Sequence, residues 1–237
     1  MNVIAAGPVI PNFGSGSSCE TSNGWFCTDW LSAHWGDTLQ PALIQHIELS
    51  LIALAIGFVL ATALALVGFR YRFFDPPIGL FADFLYTIPS LALFQLLVPF
   101  TGLTVTTVEI ALISYTLLIL YRNMIAGLRG VPPDALEAAR GMGLTRRQTF
   151  TQVELPLALP AIGAGLRIAT VSTISIATVA ALVIPKGLGL PIYTALQQDI
   201  FKTEILAAGL LTIALALCAD GLIVLAQRRI TPWTRAA

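Results

Sequence analysis

Asp134-Ala135-Leu136-Glu137-Ala138-Ala139-Arg140-Gly141-Met142-Gly143-Leu144, continued by Thr145-Arg146-Arg147-Gln148-Thr149-Phe150-Thr151-Gln152-Val153-Glu154-Leu155-Pro156, is the one long polar, charge-bearing stretch between hydrophobic runs. Asp134 followed by Glu137, just after Pro132 and Pro133, predicts a helix opened by a capping box. Gly141 and Gly143 offer the left-handed geometry that ends a helix, so this first helix stops near Arg140. Thr145 with Gln148 three residues on repeats the start signal, and Pro156 limits how far the second helix continues unbroken. Ala138 and Ala139 beside Glu137 leave little side-chain bulk, which suits docking into another protein's groove rather than catalysis. The plainer alternative is an ordinary amphipathic loop helix between two membrane spans.

Working outward, the 237 residues are 56% hydrophobic and only 11% charged, with mean hydropathy +0.81, the composition of an all-α integral membrane protein. A formal net charge of zero argues against nucleic acid, which calls for a clustered basic face. Five apolar runs are long enough to cross roughly 30 Å of hydrocarbon: about 43–69, 76–100, 104–121, 157–184 and 204–226. Five spans put the termini on opposite sides. Arg70, Arg72, Arg122, Arg129, Arg140, Arg146, Arg147, Arg228, Arg229 and Arg235 collect in one set of segments, against Lys186 and Lys202 in the other. By the positive-inside rule the N-terminus is outside, and the 130–156 loop and the C-terminal tail face the cytoplasm.

Residues 1–40 divide from the 41–237 membrane domain as an extracytoplasmic tail with no span and no cleavable signal pattern. Trp25, Trp30 and Trp35 suit the membrane–water boundary, so the tail is expected against the membrane surface. Cys19 and Cys27 are close enough in sequence to close a small loop in an oxidising compartment, which predicts a disulfide. Cys218, within the fifth span, is expected to be a free, buried thiol. The outer segment 185–203 spaces Ile192, Tyr193, Leu196, Ile200 and Phe201 close to a helical stripe, which predicts a surface helix there, either an interfacial anchor or a contact for a delivery protein.

No phosphate-cradling glycine loop, zinc-type His-Glu-x-x-His or Cys-x-x-Cys occurs in the sequence, and His34 and His46 read as interface residues rather than ligands. An enzyme is therefore not expected, nor a metal or bound cofactor. Charges within apolar runs invite functional suspicion. Arg167 is the candidate for a buried ion pair with Asp83 or Asp220, the alternative being a shallow position near the cytoplasm. Tyr86 and Pro89, in the second run, are candidates for the solute path, since a proline frees a backbone carbonyl; a purely structural kink is the alternative.

The spacing Glu137-Ala138-Ala139, three residues, Gly143, nine residues, then Val153-Glu154-Leu155-Pro156 resembles the cytoplasmic signature of ABC-importer permeases, with Val153 in place of the usual isoleucine. Thr87-Ile88-Pro89-Ser90-Leu91-Ala92-Leu93, Arg122-Asn123 through Gly127-Leu128-Arg129-Gly130, and Gln227 to Arg235 are similar to the quaternary-amine branch. That branch comprises permeases for glycine betaine, carnitine, choline or proline. The resemblance covers most of the chain from about residue 41. It implies the type I (MetI-like) importer fold, with a cytoplasmic coupling helix between spans three and four and residues 134–144 as the ATPase contact. It also implies a second permease subunit, cytoplasmic ABC ATPases carrying ATP and magnesium, and an extracytoplasmic solute-binding protein. Related permeases serve ergothioneine, and the same general fold serves methionine and other small polar solutes. Where the family commonly has a Gly-Ala-Gly-Gly-Leu-Gly-like run after span four, this chain reads Ile184-Pro185-Lys186-Gly187-Leu188-Gly189. A secondary transporter or channel working without ATP is the main competing class; it would call for inverted repeats and broken helices with midplane charges.

Overall fold

A computed structural model describes residues 22–197 and 200–235, and these are helical apart from their connections. The helices are α1 (Thr28–Arg70), α2 (Asp75–Thr87), α3 (Ser90–Thr101), α4 (Val105–Arg129), α5 (Pro133–Gly141), α6 (Arg146–Leu182), α7 (Gly189–Gln197) and α8 (Lys202–Ile230). Four of them, α1, α4, α6 and α8, are long and apolar enough to cross a membrane, and the bent pair α2–α3 brings the number to five if it forms one span.

α4 is the central helix, packed between α1 and α6, and most of its apolar window is buried, whereas that of α8 is largely exposed. Small residues let these helices approach closely, as expected where lipid offers no hydrophobic drive to association. Gly57 of α1 lies against Thr116 of α4, and Gly165 of α6 against Asn123. Around these contacts Leu49, Ala53, Leu112, Tyr115, Ala177 and Ile184 form one core cluster. A second, nearer the arginine-rich end, is built from Ala61, Leu120, Tyr121, Met124 and Ala169.

Two prolines are absorbed within long helices, one of them Pro156, which reads in the sequence as a helix limit. α1 contains a π turn at Trp35–Leu39 before Pro41, and α6 contains one at Phe150–Glu154 before Pro156. In each, the residue preceding the proline donates its N–H five residues back, Gln40 to the Trp35 carbonyl and Leu155 to the Phe150 carbonyl. The wider turn moves the i−4 carbonyl away from the proline ring that would otherwise clash with it. Pro156 therefore does not interrupt the second loop helix, which runs on into the membrane segment.

The tail boundary expected at residue 40 falls inside α1. At about 1.5 Å per residue, 43 helical residues reach roughly 65 Å, about twice the hydrocarbon thickness, so α1 projects well beyond the apolar layer. The segment leading into α1 is held by the N-terminal end of α8. Asn23 accepts the Lys202 N–H (3.0 Å) and donates to the Ile200 carbonyl (3.2 Å), while Thr203 donates to the Gly24 carbonyl (2.9 Å). Cys27 and Trp30 are buried with Leu39 and Ala208. Cys19 and the rest of the expected tail through residue 21 lie outside the described residues. Cys218 is free but exposed on the chain, contrary to expectation, because it sits on the poorly covered face of α8.

Candidate functional site

The polar loop begins at Pro132 and Pro133. Pro133 presets the helical φ at the first position, and the Pro132 carbonyl accepts the Leu136 N–H (3.4 Å). No side chain caps this end: Asp134 falls inside the first turn instead of preceding it, so the capping box expected from Asp134 and Glu137 does not form. The exit is a Schellman motif. Leu144 donates to the Ala139 carbonyl (3.1 Å) and Gly143 to the Arg140 carbonyl (2.9 Å), with Gly143 at φ 77°. Gly141 has no positive φ and is simply the last turn of α5. Thr145 and Gln148 do form the expected capping box, opening α6.

Ala139 is fully buried inside the chain, whereas Glu137, Ala138 and Met142 are exposed. Only one of the two alanines is thus offered outward. The helix period explains the split, since adjacent residues point about 100° apart and α5 rests its buried side on the π turn of α6.

The second candidate lies at the junction of α2 and α3. Pro89 pushes Ile88 into extended geometry (φ −71°, ψ 125°), and the two helices meet at 99°, so the kink expected at this proline is a full break. The freed Ile88 carbonyl accepts the Tyr115 hydroxyl. Tyr86, itself exposed, stands edge-on to Tyr115 with ring centroids 5.7 Å apart. Thr87 turns its hydroxyl back to the Phe84 carbonyl (2.7 Å), closing the last turn of α2. Tyr86 and Pro89 thus share one junction, together with Tyr115, which a reading by separate runs had not connected to them.

Arg167 and Asp220 join α6 to α8 through a two-bond fork, Nε to Oδ1 at 2.7 Å and Nη2 to Oδ2 at 2.9 Å. Asp83 is not part of it, because α2 packs on α4 and puts Asp83 against Arg122. A third pair escaped the sequence reading altogether. Asp75 at the start of α2 accepts the Tyr121 hydroxyl on Oδ1 (2.6 Å) and Arg129 on Oδ2 (2.7 Å), and Arg129 also reaches the Gly68 carbonyl (3.5 Å). An aspartate opening one helix and an arginine closing another was the available signal. This clamp ties the ends of α1 and α4 to the start of α2, beside the polar loop.

At the opposite end, His46 is buried with Nε2 donating to the Ile174 carbonyl (3.0 Å) and Nδ1 accepting the Leu188 N–H (3.2 Å). Both ring nitrogens are used in holding the 185–189 turn onto α1 and α6. Among the described residues no group of histidine, cysteine and acidic side chains is arranged to hold a metal ion.

The chain is a helical membrane body with a short polar-loop helix displayed at its arginine-rich end and an apolar broken pair beside the central helix, an arrangement that fits a solute permease. Residues 53–232 match the family described as "Binding-protein-dependent transport system inner membrane component", and the chain belongs to that family. It is the permease subunit of an ABC importer, a multi-pass protein of the inner (cytoplasmic) membrane. The family is a transport component, not a catalytic family, and membership implies an ATPase, a solute-binding protein and a second permease as partners.

The chain is 34% identical over 204 residues to the "Choline transport system permease protein OpuBB" of Bacillus subtilis (strain 168), covering 86% of this chain and 93% of that protein. It is 33% identical over 199 residues to the "Osmoprotectant import permease protein OsmW" of Salmonella typhimurium, covering 82% and 92%. The "Carnitine transport permease protein OpuCB" of Listeria monocytogenes is 32% identical over 202 residues, covering 83% and 90%. Among solved structures, "Inward facing conformations of the MetNI methionine ABC transporter" matches with a TM-score of 0.65 at 20% identity, covering 82% of this chain and 94% of that one, which shows the MetI-like fold.

Proposed function

We propose that this permease carries a small quaternary-amine or zwitterionic osmolyte, such as glycine betaine, choline, carnitine or proline. The observation that carries this reading is the identity of 31–34%, across most of the chain, to permeases named for choline, carnitine, glycine betaine and osmoprotectants. Uptake of labelled choline, betaine, carnitine, proline and ergothioneine by cells expressing the complete importer tests it. Transport of methionine alone would defeat it.

The chain crosses the membrane five times, with α2–α3 as one broken span, the N-terminus outside and the 130–156 loop in the cytoplasm. The ten-to-two division of arginine and lysine supports this orientation. A reporter fused after Arg147 that is active only outside the cell would overturn it. Residues 134–144 form the coupling contact with the ATPase, which binds ATP and magnesium in place of this chain; the exposure of Glu137, Ala138 and Met142 on a short helix favours that role. Two such permeases, identical or homologous, enclose the pathway.

Tyr86 and the break at Pro89 line that pathway, with Tyr115 buried behind them. An exposed tyrosine with an electron-rich face, beside a second ring, gives a passing ammonium group a transient cation–π contact without a deep well. The disulfide between Cys19 and Cys27 belongs to the same reading, closing the segment that leads into α1 on the oxidising side.

A further inference from the structure

At the arginine-rich end a groove of about 630 Å³ lies between the last turn of α1 and the first turns of α6. Arg70, Arg146 and Arg147 stand on its rim. None of the three forms an ion pair among the described residues, in contrast to Arg122, Arg129 and Arg167, each of which holds an aspartate. Glu154 is the single carboxylate in the lining. The floor is apolar: Leu66 and Val67 one turn back along α1, and Phe69 facing Phe150 with ring centroids 6.2 Å apart.

The layering is ordered along the span direction. Arg70 closes the apolar run of α1, and Arg146 and Arg147, at the polar start of α6, stand beside it, so the guanidinium groups gather at the level where α1 stops being apolar. The apolar floor lies a turn deeper, and Leu66, Val67 and Tyr71 are exposed on the outside of the chain. A free phosphate or nucleotide would use the rim and leave the floor wet. A purely apolar partner would leave the excess of positive charge unmatched. An amphiphile with a phosphate at the rim level and a hydrocarbon chain one turn below satisfies both.

We propose that this groove binds the headgroup and first acyl segment of an anionic phospholipid, the guanidinium groups holding the phosphate by charge-assisted hydrogen bonds and the Phe69–Phe150 pair covering the chain. None of the residues lining the groove belongs to α5 or to the Tyr86–Pro89 junction. Its failure would leave the permease reading intact.

The test uses the full-length permease, purified and delipidated in detergent, with dioleoylphosphatidylglycerol, dioleoylphosphatidylcholine and inorganic phosphate as probes, and bound lipid counted by native mass spectrometry. The unaltered chain is expected to retain the anionic lipid at least tenfold more tightly than the zwitterionic one. The double variant Arg146→Ala, Arg147→Ala and the single variant Arg70→Ala should lose most of that preference. The double variant Arg146→Lys, Arg147→Lys should keep most of it, and Lys186→Ala at the other end should keep all of it. Equal binding of the two lipids by the unaltered chain would reduce the groove to a greasy surface and overturn the proposal without any variant. Displacement of the anionic lipid by equimolar inorganic phosphate would make it a free-anion site. Stoichiometric displacement by the ATPase subunit would make it a protein-docking surface. Either result also overturns the lipid assignment.

Discussion

Gly141 and Gly143 stand two residues apart, and a Cβ built on either meets nothing within 4 Å, so steric crowding cannot distinguish them. Backbone geometry does. Gly143 holds φ 77° at the turn of the Schellman motif, and an L-residue in the left-handed region costs roughly 1–2 kcal/mol. Gly141 has ordinary helical geometry, where alanine is favoured over glycine by about 0.8–1.0 kcal/mol. The same substitution is therefore expected to act with opposite sign: Gly141→Ala neutral or mildly stabilising, Gly143→Ala destabilising the turn. A penalty of 1–2 kcal/mol lowers the population of the native turn roughly 5–30-fold against alternatives of similar energy. Gly143→Asn should cost least, since asparagine tolerates this region, and Gly143→Val most, since it is β-branched. The measurement is initial uptake by the complete importer, normalised to membrane abundance, together with copurification of the ATPase. Uptake should fall in the order unaltered or Gly141→Ala, Gly143→Asn, Gly143→Ala, Gly143→Val, with abundance unchanged. If Gly141→Ala damages uptake as much as Gly143→Ala, the loop depends on a bare surface rather than on the turn, and the reasoning fails.

Glu137→Lys removes no cap, since none is formed, and should leave insertion intact while lowering uptake more than tenfold through like-charge contact with the ATPase; normal uptake would remove Glu137 from the interface. For Arg167 and Asp220, replacing either alone by leucine should lower membrane abundance by stranding a charge, and replacing both should recover at least half the loss; a double variant no better than the worse single one would show that the fork does not act as a pair. His46→Leu leaves the buried Leu188 N–H without its acceptor, at about 1–3 kcal/mol, which for a chain of this size lowers Tm by roughly 2–4 °C per kcal/mol; an unchanged Tm in detergent would mean the 185–189 turn is held by other contacts. Nonreduced peptide mapping should find Cys19 and Cys27 in one linked peptide, and recovery of both as free thiols would reject the bridge.

Those features of the molecule that depend on neighbours within about one turn were legible in the sequence. The apolar runs, the turn at Gly143 and the capping box at Thr145 and Gln148 are each decided by a few consecutive residues. Even there, proline was misjudged: Pro132 and Pro133 opened α5 where Asp134 and Glu137 had been expected to, and Pro156 was carried through by a π turn. Proline fixes only its own φ and its own missing donor, and the surrounding helix chooses between breaking and widening. At Pro89 it broke by 99°.

Which charges meet was decided by tertiary structure, because helix pairing is not written in any local spacing. Arg167 had two formal partners, Asp83 and Asp220, and packing of α2 on α4 decided between them by bringing Asp83 to Arg122, leaving Asp220 to Arg167 across α6 and α8. The Asp75–Tyr121–Arg129 clamp joins residues 46 and 54 positions apart, beyond the reach of periodicity. Likewise Ala138 and Ala139 are chemically identical in the sequence, and only the seating of α5 on α6 made one a surface and the other a core residue. The identity of the chain as a permease thus rested on short-range pattern, while the geometry that anchors its loop, its broken helix and its ion pairs arose from contacts that only packing could select.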